Sequence, residues 1–143
     1  MCISSIKIQN FRNYRDFEVK VGRSAVILDE NQIGKTNMIH ALRLVLDPSL
    51  PDSARQLHLE DFWDRLKPLD ESSRILTAVE ISDFEDDEDE LAILAEHLVE
   101  PSPMVARLTY EFAPIPDLER EPSNQEDFEF VTYGGDRPET PTE

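Results

Sequence analysis

Ala25-Val26-Ile27-Leu28-Asp29-Glu30-Asn31-Gln32-Ile33-Gly34-Lys35-Thr36-Asn37 is the stretch from which the rest of the chain is read. Four consecutive apolar residues, Ala25 to Leu28, predict a strand buried on both faces in a parallel or mixed sheet. A loop follows from Asp29 to Gly34. A helix is then predicted from about Lys35 to Leu46, with Met38, Ile39, Leu42, Val45 and Leu46 at helical spacing and Asp47-Pro48 as its stop. A loop at such a junction aims successive backbone N–H groups at an anion, and the helix N-terminus adds partial positive charge. The pattern G-x-x-x-x-G-K-[ST] uses this geometry to cradle a polyphosphate, with the lysine on the outer phosphates and the hydroxyl on Mg²⁺. Its second half is intact here, and Asp29 stands where the first glycine belongs.

The candidate nucleotide-binding residues are therefore Asn31, Gln32, Ile33, Gly34, Lys35, Thr36 and Asn37, with Thr36 as the candidate magnesium contact. Asp29 places a carboxylate one turn from the polyphosphate, at a cost of about 1 kcal/mol after solvent screening. It also puts a Cβ where the pattern has none. Two outcomes stay open: binding weakened but kept by Lys35 and the N–H groups, or binding lost.

Working outward, Ile3 to Ile8 reads as a strand with Ile6 and Ile8 on one face. Residues 10–15 read as a turn, and Phe17, Val19 and Val21 alternate with polar residues as a second strand. The two form an antiparallel hairpin whose loop is too long for a two-residue turn, closed by Gly22. Residues 48–73 hold three prolines and many charges; they predict loop with one short helix from Leu59 to Leu66. Ile75 to Ile81, Val105 to Phe112 and Phe128 to Tyr133 predict strands. The acidic block Glu85 to Glu90 predicts a helix start, with Leu91, Leu94, Ala95 and Leu98 as the apolar stripe. The expected division is 1–115 as one folded portion and 116–143 as an acidic, proline-rich segment with one strand and a disordered tail.

Charge follows the same division. The chain's net −17 lies wholly in residues 80–143, because residues 1–79 hold equal numbers of acidic and basic side chains. That argues against nucleic-acid binding by the second half, since phosphate contacts need Lys and Arg. One cysteine, Cys2, excludes an internal disulfide and suits a reducing, cytoplasmic setting. No stretch reaches the ~18 apolar residues of a membrane span. His40, His58 and His97 lack metal-ligand spacing, and Phe62-Trp63 reads as an anchor of its loop to the core.

Ile6-Lys7-Ile8-Gln9-Asn10-Phe11-Arg12-Asn13-Tyr14, then Asn31 to Asn37, then Ala41-Leu42-Arg43-Leu44-Val45-Leu46-Asp47 resemble the ATPase heads of the RecF/SMC-like ABC group. Within it the chain most resembles the OLD (overcoming lysogenization defect) family of ATP-dependent nucleases, which includes the ATPase–nuclease subunit of the Gabija antiphage system. Leu59-Glu60-Asp61-Phe62 extends the likeness, which covers residues 1 to about 65. The resemblance implies an α/β P-loop ABC-ATPase head. Its N-terminal portion combines an antiparallel β subdomain with a P-loop strand–helix unit, and its cofactors are ATP and Mg²⁺. It makes Arg12 a candidate phosphate or ribose contact, beside the simpler reading of a solvated turn arginine. Asn37 is implied to brace the helix start and Asp61 to approach Mg²⁺.

The same resemblance sets what is missing. An ABC head needs a Walker B strand ending in Asp-Glu, a signature motif and a late histidine, and an OLD nuclease needs a Toprim carboxylate cluster; none is found in residues 1–143. The chain is therefore expected to be a fragment or one half of a split protein, and hydrolysis by it alone is not expected. Such heads assemble their catalytic site across a homodimer or higher oligomer, and DNA is handled only by the complete assembly or a partner subunit. Two other classes remain: a degenerate assembly platform that holds a protein partner with its acidic half, and an acidic DNA mimic.

Overall fold

Alternation of apolar and polar residues decides which side of a sheet each strand shows. The computed structural model describes residues 2–12, 14–20, 32–47, 49–63, 73–116 and 118–135. Their strands are β1 (Cys2–Phe11), β2 (Tyr14–Lys20), β3 (Ile75–Ser82), β4 (Leu98–Pro101), β5 (Met104–Pro114) and β6 (Phe128–Gly134), joined in one sheet. The order is β2-β1-β3-β5-β4, and every pairing is antiparallel. The outer edge of β5 is shared: β4 pairs with Met104 to Ala106 and β6 with Leu108 to Pro114.

Register makes one face continuous. Ile6 stands opposite Val79 and Ile8 opposite Thr77. Thr77 in turn faces Tyr110, Ile75 faces Phe112, and Phe112 faces Phe130. The reverse face carries Ser5, Lys7 and Gln9 beside Glu80, Ala78 and Leu76, then Arg107, Thr109 and Glu111. Helix α1 (Gln32–Leu46) lies over the apolar face. Met38, Ala41 and Leu44 are buried with Ile6, Ile8, Phe11, Ile75, Tyr110 and Phe112. Leu42 and Val45 also touch a second cluster of Val79, Ile81, Phe84, Leu94 and Ala106, so the helix bridges both halves of the core.

Several expectations are corrected. Ile39 and Leu46 are 60% and 38% exposed, because at 3.6 residues per turn the sheet-facing side is filled by Met38, Ala41 and Val45. The first hairpin closes tightly: Phe11 pairs with Tyr14, so only positions 12 and 13 intervene. Where a helix is expected from about Leu59 to Leu66, the described part holds a 3-10 turn, Leu59–Asp61, preceded by a short α2 (Asp52–Arg55), and positions 64–66 lie outside the described residues. The acidic block does open a helix, α3 (Glu88–Leu94), whose first turn is capped by the Asp87 carboxylate accepting from the N–H groups of Asp89 and Glu90. Leu98, expected on that helix, starts β4 instead and pairs with Ala106. The predicted strand Ala25 to Leu28 and the tail 136–143 lie outside the described residues.

The proline-rich stretch after Pro114 is tied down by one carboxylate. Asp127 accepts from both Nη atoms of Arg120 at 2.8 and 2.7 Å and from the backbone N–H of Ser123 and Asn124 at 2.9 and 3.0 Å. Gln125 then spans to the 52–62 segment, accepting from Leu59 N–H at 3.0 Å and donating to the Leu57 carbonyl. Arg120 first, and the two N–H groups after it, hold the Asp127 carboxyl well below the usual carboxylate range. Its contribution is present above the unfolded value near 4 and fades as the pH falls toward the depressed folded value. Asp127→Asn is expected to lower the melting temperature at pH 7 and to flatten the melting profile below pH 4. An unchanged acid limb refutes this role.

A second charge pair crosses β3 and β5. Glu111, 2% exposed, accepts from Arg74 Nη1 at 2.7 Å and from the Tyr133 hydroxyl at 3.3 Å. Removing the cation leaves a buried carboxylate short of its charge partner. Arg74→Ala is expected to cost about 2–3 kcal/mol, below the fully buried case because the Arg74 side chain is 32% exposed. Denaturant melts check the cost, and Arg74→Ala/Glu111→Gln is expected to regain part of it. A double variant as unstable as the sum of the singles contradicts the pairing.

Candidate nucleotide site

The end of β1 fixes the geometry beside the second turn of α1. Phe11 is fully buried, so the chain must reverse immediately beyond it, and it does so through Arg12 in the left-handed region at φ 53°. For a residue with a Cβ that conformation costs roughly 1–2 kcal/mol and persists only where neighbours hold it. They do so on three sides. Arg12 N–H donates to the Asp61 carbonyl at 2.8 Å, its Nε donates to Asp61 Oδ1 at 3.0 Å, and its Nη1 donates to Asn37 Oδ1 at 2.8 Å.

The 59–63 segment is brought there by the same strand end. Phe11 and Phe62 form an antiparallel bridge, and Trp63 N–H donates to the Asn10 carbonyl at 2.9 Å. Phe62 fills the core against Phe112 and Phe128, while Trp63 lies under the Arg15 guanidinium, 5.3 Å from its ring centre. The anchoring expected of Phe62 is thus direct, and Trp63 is held at the surface by a cation–π contact.

Of the residues named from the sequence, Arg12, Asn37 and Asp61 meet. Asn37 is 7% exposed on the buried side of α1, and Thr36, next to it, is exposed. Gln32, Ile33 and Gly34, expected in the loop, lie instead with Lys35 in the opening turn of α1, with side chains outside the described residues, as is the whole of Asn31. The first turn of α1 carries no acidic residue, which suits an anion at its N-terminus.

His40 joins this group unforeseen. It stands three positions after Asn37, nearly one helical turn, and its ring meets Phe11 edge-on with 5.7 Å between centroids. Burial, and then the Arg12 guanidinium, push the imidazole below its ordinary value, so it adds no charge beside the arginine at neutral pH. The i, i+3 spacing from Asn37 was the available signal. Among the described residues no group of three His, Cys, Asp or Glu is placed to hold a metal. No helix there is long and apolar enough to cross a membrane. A depression of about 240 Å³ lined by Ser5, Lys7, Glu18, Glu80, Arg107 and Tyr133 lies on the polar face of the sheet, the face opposite α1.

Comparison with known proteins gives the family. The AAA ATPase domain family matches residues 1–131. Endonuclease GajA of Bacillus cereus (strain VD045) is 32% identical over 92 residues, which is 62% of this chain and 15% of that protein. The chain therefore spans a small part of the length of this relative. The match along nearly the whole described sheet and α1 implies a P-loop fold and nucleotide binding: this chain belongs to the AAA ATPase domain family.

Proposed function

We propose that this chain is the ATP-binding portion of an OLD-family-like, ATP-dependent DNA nuclease with a RecF/SMC-type ABC head, acting in the cytoplasm in antiphage defence or DNA processing. The observation that carries the reading is the convergence of Arg12, Asn37 and Asp61 at α1, the helix whose first two turns hold Gly34-Lys35-Thr36. The likeness to an endonuclease supports the nuclease part, which belongs to the larger assembly because the match covers 15% of that protein. Self-association through such heads, with DNA engaged by the complete assembly, is part of the same proposal.

Each residue has a role in it. The N–H groups of Asn31 to Lys35 and the partial positive charge of α1 hold the phosphates. Lys35 takes the outer phosphates as a mobile point charge, and Thr36 presents its hydroxyl beside them. Magnesium, when bound, neutralises phosphate charge next to that hydroxyl. Arg12, bonded to Asn37 one turn further along α1, would add a guanidinium to the anion.

Calorimetric titration of the chain with ATP and Mg²⁺ tests the reading. Wild type is expected to bind, Lys35→Ala to bind at least tenfold more weakly, about 1.4 kcal/mol, and Asp29→Gly to bind more tightly. A silent wild type beside a binding Asp29→Gly variant would instead make the domain a degenerate assembly platform.

A further inference from the structure

On the nucleotide-site reading above, we infer that Asp61 sets nucleotide affinity by positioning Arg12, and not by holding magnesium. Both oxygens of its carboxylate are engaged: Oδ1 accepts from Arg12 Nε at 3.0 Å and Oδ2 from the His58 N–H at 2.9 Å. Its backbone carbonyl accepts from Arg12 N–H at 2.8 Å, so one residue restrains both the main chain and the side chain of the arginine. Its side chain is 14% exposed, against 31% for Arg12, so the carboxylate is the more enclosed partner and the arginine side chain the more open one. Magnesium on this carboxylate would have to share an oxygen that already accepts from Arg12 or from His58 N–H, and it would sit against the positive guanidinium of Arg12.

The arginine gains what the carboxylate gives up. An unrestrained arginine loses much of its rotamer freedom when it is fixed on a ligand. Here Nε and Nη1 are already committed to Asp61 and Asn37, and the planar fork has five N–H donors. The guanidinium is oriented before any anion arrives. The left-handed backbone at Arg12 is a further sign that neighbours dictate its position, at φ 53°.

A double-mutant cycle read by ATP binding separates the roles. Asp61→Ala, Asp61→Asn, Arg12→Ala and Arg12→Ala/Asp61→Ala are titrated with ATP in Mg²⁺ and again in chelator, alongside ligand-free thermal melts. Asp61→Ala is expected to weaken binding by on the order of tenfold in both conditions, and the double variant to be no weaker than Arg12→Ala alone. Asp61→Asn, which keeps an acceptor for Nε, is expected to fall between wild type and Asp61→Ala, and it carries the test if the alanine variant melts below the assay temperature. A loss seen only with Mg²⁺, independent losses that multiply, or no loss in Asp61→Ala or Asp61→Asn overturns the inference while leaving the nucleotide reading intact. A wild type that binds no ATP overturns both.

Discussion

Arg12 at φ 53° is the point from which the geometry of this domain follows. The buried ring of Phe11 ends β1 against the core, so the next residue must turn at once, and the turn throws a guanidinium toward α1. Asp61 and Asn37 accept from it, and these bonds fix the Leu59–Asp61 turn and the second turn of α1 relative to the first strand. Hydrophobic burial of Met38, Ala41 and Leu44 sets where the helix lies on the sheet. The polar cluster ties its N-terminal half to the end of β1.

The division of labour between the two sheet faces matches this arrangement. The apolar face accepts α1 and is closed at its far edge by β6, whose Phe128 and Phe130 stack with Phe112 and Tyr110. The polar face is crossed by ion pairs, Arg107 with Glu80 and Arg74 with Glu111. The acidic excess of the second half is partly structural: Asp87 caps α3, Glu85 accepts from the Met104 N–H at 2.6 Å, and Asp127 organises the loop before β6. A charge run that reads as solvent-exposed thus contains several anchors of the backbone.

Much of this was legible in the order of residues. Alternation located β1 and β2, runs rich in apolar and β-branched residues located β3, β5 and β6, and helical spacing with the Asp47-Pro48 stop located α1. The family resemblance named Arg12, Asn37 and Asp61 for separate roles; that they bond one another was not legible, since separations of 25 residues from Arg12 to Asn37 and 49 to Asp61 carry no local signal. The tight turn was missed because Asn10 and Asn13 both favour bends, and only the register of the buried Ile6, Ile8 and Phe11 decides between them. Ile39 and Leu46 were misplaced because a helix rich in apolar residues does not reveal which side will meet a sheet. Leu98 was given to a helix because a four-residue edge strand has no period of its own; its partner β5 defines it.

The most direct test of the central claim is chemical-shift mapping of the isotopically labelled chain as ATP is added. Shifts are predicted at the amides of Gly34, Lys35, Thr36 and Asn37, with Arg12 and Asp61 moving together. Shifts centred on Lys7, Arg107 and Tyr133 on the polar face, or none at the start of α1, would contradict it.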